Sequence, residues 1–381
     1  MLSRYKVGLK YDQLLTLPET VVLSTLDYGS VLYGSGANSH LQKLDATNHK
    51  GVRMALGLFK TTTVESLLAE AGFLPLDMRR KLQALKYAAS ISGNKSHSVN
   101  STISRKYRKT SKLKGKTLFF DRVVNMLKEY KIDPTRIEQT ERYQTWTEDN
   151  IKFDTELANH NKKNTDKIIM KAITQEKINK FNQHTHIYTD GSKMGGKIGW
   201  GFNSNQYEKC GRISSEGTVF EAEIKAILEA MKWASEEAEE NFLIWTDSLA
   251  RILEIENNRN NSGTVKNIRE KARETTKSFT SLWIPSHIGE EGNERADLLA
   301  KKGGKILEVE KNLQVRDFKR IIKDKVWEEW ENKLETNVVF CLRGTSKRNK
   351  KLQKEGRKET RNFMRLRTGH TRKTHVHIMK A

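Results

Sequence analysis

His186-Ile187-Tyr188-Thr189-Asp190-Gly191-Ser192 is an apolar run that closes on a carboxylate and a Gly-Ser pair. It reads as a strand ending in a turn, with an acid at its mouth. A second run, Phe242-Leu243-Ile244-Trp245-Thr246, leads into Asp247 in the same way, and Ser248 is placed to open a helix. Two strand-end acids therefore point the same way. Between them, Phe220, Ile224, Ile227, Leu228 and Met231 fall on one helical face, which puts Glu223 on the buried margin and turns Glu221 and Lys225 outward. Asp297 follows the polar, Gly-punctuated stretch from Ser286 to Ala296 and enters a helix continuing through Leu298-Leu299-Ala300. An anion in the first turns of a helix is favoured by the helix dipole.

Asp190, Glu223, Asp247 and Asp297 are hard oxygen donors of the kind Mg²⁺ prefers, and one or two such carboxylates plus substrate phosphate is its usual environment. Four of them converging without lysine between them would repel one another and raise each other's pKa unless a metal neutralised them. Two ions about 4 Å apart can activate a water on one side of a phosphodiester and stabilise the leaving oxygen on the other. Asp-Gly-Ser alone is an ordinary turn, and each of the other acids alone passes as a helix or loop residue. The order of the four, on alternating element types, is what carries the reading.

Tyr188-Thr189-Asp190-Gly191-Ser192, Ala222-Glu223-Ile224, Trp245-Thr246-Asp247-Ser248 and Ile284-Pro285-Ser286-His287-Ile288-Gly289 through Gly292-Asn293-Glu294-Arg295-Ala296-Asp297 resemble the type 1 ribonuclease H domain, in the version found in jockey-like non-LTR retrotransposons. The resemblance implies an α/β fold, a mixed five-stranded sheet flanked by helices. It also implies an endoribonuclease that cuts the RNA strand of RNA–DNA hybrids with two Mg²⁺ ions, Mn²⁺ being a substitute. By the same resemblance, Asp190 bridges the ions, Glu223 and Asp247 complete one site, Asp297 binds the other, and His287 assists proton transfer and product release. Gly191, Ser192 and Asn293 are candidate substrate contacts, because small or amide residues let a backbone approach closely. Recognition of 2′-hydroxyls would distinguish RNA from DNA. Two other readings stand beside this one: a truncated nucleic-acid-binding remnant of a retroelement, and a DNA-joining transposase or 3′→5′ exonuclease of the same broad fold.

Charge places the partner. The chain carries 69 Lys and Arg against 47 Asp and Glu, a formal +22, which favours a polyanion. From His186 to Gly303 there are 16 basic and 19 acidic residues, net −3, which leaves +25 for the flanks. Two runs concentrate it: Arg105 to Lys116 and Lys347 to Lys358. They read either as phosphate-contacting or nuclear-localisation segments or as solubilising charge. Phosphate contacts would give affinity and salt dependence but no base readout. With only Cys210 and Cys341, neither a disulfide framework nor a Cys-based zinc site can be assembled. No signal-peptide core or run of transmembrane length occurs, so an intracellular protein of the nucleus or cytoplasm is expected, with no membrane partner. Nothing in the sequence fixes an oligomeric state.

The chain is long enough for two domains and linkers. Residues 1–92 read as a small all-helical domain, in which Leu23 to Gly34, Leu41 to Asp45 and Val64 to Leu67 resemble the thumb region that follows the palm of a non-LTR reverse transcriptase. No Tyr-x-Asp-Asp type of motif is present, so polymerase activity is not expected. Residues 93–183 read as a polar linker with local helix, 184–304 as the ribonuclease H domain and 305–381 as a basic helical tail. The tail's Arg365 to His370 resembles the region before a Cys-His zinc knuckle. His370, His375 and His377 lack the cysteines such a knuckle needs, so truncation before the knuckle is the expectation. Trp200, Trp233, Trp245 and Trp283 sit in apolar elements and read as core aromatics.

Overall fold

The computed structural model describes residues 9–108, 119–140, 151–160, 165–257, 262–307, 309, 312–335, 337 and 356–368. Most of both basic runs, Cys341, His370, His375 and His377 lie outside the described residues. Two compact units are formed. One comprises Met1–Ala88, Thr102–Asp133 and Lys319–Ala381, the other Ala89–Ser101 and Pro134–Phe318.

The second unit is built on a mixed six-stranded sheet in the order β1-β6-β5-β2-β3-β4. Its strands are β1 Ile151–Asp154, β2 Thr185–Met194, β3 Lys197–Ser204, β4 Glu208–Ile213, β5 Asn241–Thr246 and β6 Ser278–Trp283. β2, β3 and β4 form an antiparallel meander, whereas β2, β5, β6 and β1 run parallel. Helices Val219–Ala234, Leu249–Glu256, Gly263–Glu274 and Glu291–Gly303 complete the layers. Parallel strands need long crossovers and end up covered on both faces, which is why β5 reads as an unbroken apolar run. Side-chain alternation along β2 sends Ile187 into one core with Ile224, Ile227, Phe242 and Ile244. It sends Tyr188 into another with Leu243, Trp245, Leu282 and Ala296.

The sheet has one strand more than expected. β1 adds to the outer edge of β6, pairing Ile151 with Phe279 and Phe153 with Ser281, and Ile151 and Phe153 pack against the core. Four residues in a polar surround are too short a run for alternation to announce a strand. A second correction concerns Asp190, which lies inside β2, opposite Gly201 of β3, and not at a strand's end. The chain turns only at Gly195-Gly196, where φ is +56° and +77°.

The first unit is helical, as the sequence predicts for its N-terminal region. Helices Tyr11–Leu17, Asn38–Leu56, Val64–Ala71, Phe119–Glu129 and Arg357–Arg367 contribute Leu14, Leu15, Val52, Leu56, Leu67, Leu68, Val123, Leu127 and Met364 to buried positions. Thr63 caps its helix by accepting from the Ser66 amide at 3.3 Å. The tail helix is tied in by charge, since Arg367 Nε donates to Glu70 Oε1 at 2.7 Å and Glu70 is fully buried. Removing one member of such a pair leaves an uncompensated buried charge.

Candidate active site

Three glycines let the helices that carry Glu223 and Asp297 approach the strands beside Asp190. A Cβ on Gly191 would lie 2.5 Å from the Glu223 amide nitrogen, so the bare backbone lets helix Val219–Ala234 cross β2 one residue from Asp190. A Cβ on Gly201 would lie 2.6 Å from the Ala300 nitrogen and one on Gly199 2.2 Å from the Ala300 oxygen, so helix Glu291–Gly303 presses onto β3 in the same manner. Because successive side chains alternate across a strand, Asp190 shares its face with its partner Gly201, the face covered by the helix that carries Asp297. Asp247 follows β5, the parallel neighbour of β2, and its carbonyl accepts from Trp283 Nε1 at 3.0 Å.

The Asp190 carboxyl feels the other three acids. The Asp190 carboxyl is pushed up to about 8, first by burial and then by Asp247, with Asp297 and Glu223 adding to it; the Gly191 amide, donating to Asp190 Oδ1 at 2.7 Å, opposes the shift. Glu223 is also raised, chiefly by burial, against the hydrogen bond from Ser248 and the charge of Arg251. The expectation that no cation stands among the acids is corrected. Arg251 Nε lies 2.9 Å from Glu223 Oε2, and Lys301 Nζ lies 2.6 Å from Asp297 Oδ2. Among the described residues no group of three or more His, Cys, Asp or Glu side chains is closed up tightly enough to hold an ion as it stands. Two of the four carboxylates are drawn to basic partners instead.

Glu221 is also not where the helical pattern puts it. It is buried, accepts from Thr264 Oγ1 and Arg316 Nη2 at 3.1 Å each, and is raised to about 7 by burial and then by Asp317. His287 is exposed and adopts φ +60°, a left-handed conformation rare for a residue with a Cβ. The loop carrying it is fastened on its far side, where Lys171 Nζ donates to the Gly289 carbonyl at 2.8 Å and Tyr188 Oη to Glu290 Oε1 at 3.3 Å. Of the candidate substrate contacts, Gly191 is buried under the Glu223 helix, and Ser192 is half-buried at a cavity of about 300 Å³ that Lys197, Lys301 and Lys305 also line. Asn293 is buried with its Oδ1 unpartnered. Trp200 and Trp245 are core residues, and Trp233 and Trp283 are partly buried.

The sequence reading missed Arg251, Ser248, Lys301 and Trp283, the groups that hold the acids. Only Lys301 leaves a trace in one dimension, because an acid and a lysine four apart on a helix face each other.

Residues 182–305, about a third of the chain, match the family model for RNase H. The crystal structure of RNase H1 from the halophilic archaeon Halobacterium salinarum NRC-1 is similar over 32% of this chain and 96% of that one, at 24% identity and a TM-score of 0.26. Comparison with curated proteins finds no match. Among the described residues no helix is long and apolar enough to cross a membrane.

Proposed function

We propose that the chain is an endoribonuclease that hydrolyses the RNA strand of RNA–DNA hybrids, and that it derives from a retrotransposon polyprotein. The observation that carries the activity is that three acids from other elements, Asp247, Asp297 and Glu223, act on the buried Asp190 carboxyl, all within the segment that matches RNase H. The donor set fits two Mg²⁺ ions, or Mn²⁺ in their place: its ligands are hard oxygens whose mutual repulsion a divalent cation would relieve. Asp190, Glu223, Asp247 and Asp297 would hold them. What the ions supply when bound is Lewis acidity toward the phosphodiester and the attacking water.

The chain's own residues do the remaining work. Asp190 is oriented by its strand and by the Gly191 amide, which donates to its Oδ1. His287, exposed on a loop where its φ is +60°, is proposed to take or give a proton at its ring and to move as product leaves. Ser192, beside a lysine-lined cavity, is proposed as a contact to the sugar-phosphate backbone, and Gly191 and Asn293 are proposed as further contacts. The basic flanks would supply sequence-independent affinity.

The test is cleavage of an end-labelled RNA–DNA hybrid in Mg²⁺, alongside an Asp190→Asn variant and an all-DNA duplex. Cutting confined to the RNA strand and abolished in the variant is expected. Salt-sensitive binding with no metal-dependent cutting would instead identify a binding remnant, and cutting of the DNA duplex an exonuclease or transposase.

A further inference from the structure

Arg251 stands at the centre of a charge network that the reaction itself does not call for. Its Nε lies 2.9 Å from Glu223 Oε2 and 3.2 Å from Ser248 Oγ, and its Nη1 lies 3.4 Å from Glu254 Oε2. Its guanidinium carbon sits 3.2 Å from the centre of the Phe220 ring, and that of Arg316 sits 3.7 Å from the same centre. Two guanidinium groups cannot share one face of a ring at those separations, so Phe220 is sandwiched between them, a favourable cation–π arrangement on each face. Arg316 in turn reaches Glu254 at 3.3 Å and Glu221 at 3.1 Å. Phe220 and Glu221 lie on the same helix as Glu223, one turn or less away. The guanidinium of Arg251 is therefore clamped by Ser248, Glu254 and an aromatic face while it holds Glu223. With side-chain exposures of 13% for Arg251 and 17% for Glu223, solvent screens their attraction weakly.

We infer that Arg251 is the resident counter-cation of the acid site: it neutralises and positions Glu223 when no metal is bound, and a divalent ion must compete with it for that carboxylate. This rests on the metal-dependent reading above. Arg251 is a positioning residue and touches no substrate in this scheme. Its consequence is a deliberately weakened metal affinity, because a fixed positive charge beside a ligand opposes a dication. Arg316 lies beyond the stretch that matches RNase H, so the segment following that domain would set the firmness of the clamp through Phe220.

The experiment is Mn²⁺ binding to the full chain, followed by the paramagnetic resonance of the free ion, in the wild type, Arg251→Met, Arg251→Lys, Arg316→Ala and Asp190→Asn. Arg251→Met is expected to bind Mn²⁺ roughly threefold to tenfold more tightly, and Arg251→Lys to stay near the wild type. Arg316→Ala, which leaves every contact of Arg251 to Glu223, Ser248 and Glu254 in place though it also breaks the ion pair of the buried Glu221, should tighten binding by a smaller factor, about twofold. Melting in EDTA should place Arg251→Met below the wild type, with the gap narrowing when Mn²⁺ is added. Unchanged or weaker binding in both Arg251→Met and Arg316→Ala, while the wild type binds Mn²⁺ in a manner lost in Asp190→Asn, overturns the inference and leaves the proposed function standing. A wild type that binds no Mn²⁺ at this site overturns both.

Discussion

At Asp190 a single carboxyl carries a stability signature that can be measured without substrate. Its folded-state pKa of about 8 lies above the ordinary aspartate range near 4. Across that window the folded chain holds a proton that the unfolded chain has released, so stability falls as pH rises from about 4 to about 8 and then levels off. Asp190→Asn removes the titration. In EDTA its melting temperature should match the wild type near pH 4 and exceed it above pH 8, by an amount on the order of a few kcal/mol in stability. A wild-type profile parallel to that of the variant would show that the carboxyls do not crowd one another. Glu221, raised to about 7 by burial and by Asp317, adds a second descent of the same sign, which Glu221→Gln should remove independently.

Elements position the acids through backbone contact, and here the expected effect is steric. Gly191→Ala places a methyl 2.5 Å from the Glu223 nitrogen and 2.9 Å from the Ala222 carbonyl carbon, both backbone atoms that cannot swing aside. Overpacking of this kind costs about 1–3 kcal/mol, and because the helix that must shift carries Glu223, cleavage should fall more steeply than stability. Measuring melting temperature together with kcat on a hybrid separates the two; a loss of stability at full activity would dissociate the close approach from the site. Thr218→Ala probes the same helix from its end, where Thr218 Oγ1 accepts from the Glu221 amide at 3.3 Å, and should cost about 1 kcal/mol. The four acids were legible because each stands beside a strong element signal: the apolar run into Asp190, the stripe around Glu223, the run into Asp247 and the Gly-punctuated loop before Asp297. What was not legible depended on neighbours far away in sequence. Glu221 looks outward on a helical wheel because no pattern shows that Thr264 and Arg316 cover that side. Arg251 looks like a surface residue of a short helix until Glu223 and Phe220 are placed against it. β1 announces itself only through the open edge of β6 that it fills.

For the molecule as a whole, the decisive asymmetry is charge. The stretch that carries the acids is net −3 whereas the rest is net +25. On the proposed function, a polyanionic duplex gains no net attraction from the stretch that carries the acids, and the expected source of affinity is the flanks, with the acid site contributing once its own charge is neutralised. Each phosphate contacted by a lysine or arginine releases counterions, so binding weakens steeply as salt rises. If about six flank cations engage the substrate, affinity for a hybrid of some twenty base pairs should fall roughly 10³-fold between 50 and 200 mM salt. The loss should be equal in Asp190→Asn, whose flanks are intact. The rate at saturating hybrid should change little over the same range, because salt acts on the encounter and not on groups held by buried partners. Fluorescence anisotropy of a labelled hybrid in EDTA, paired with kcat in Mg²⁺, reads both quantities. Salt-insensitive affinity would mean that neither the basic runs nor the lysines around Ser192 engage phosphates and that the substrate is held by uncharged directed contacts.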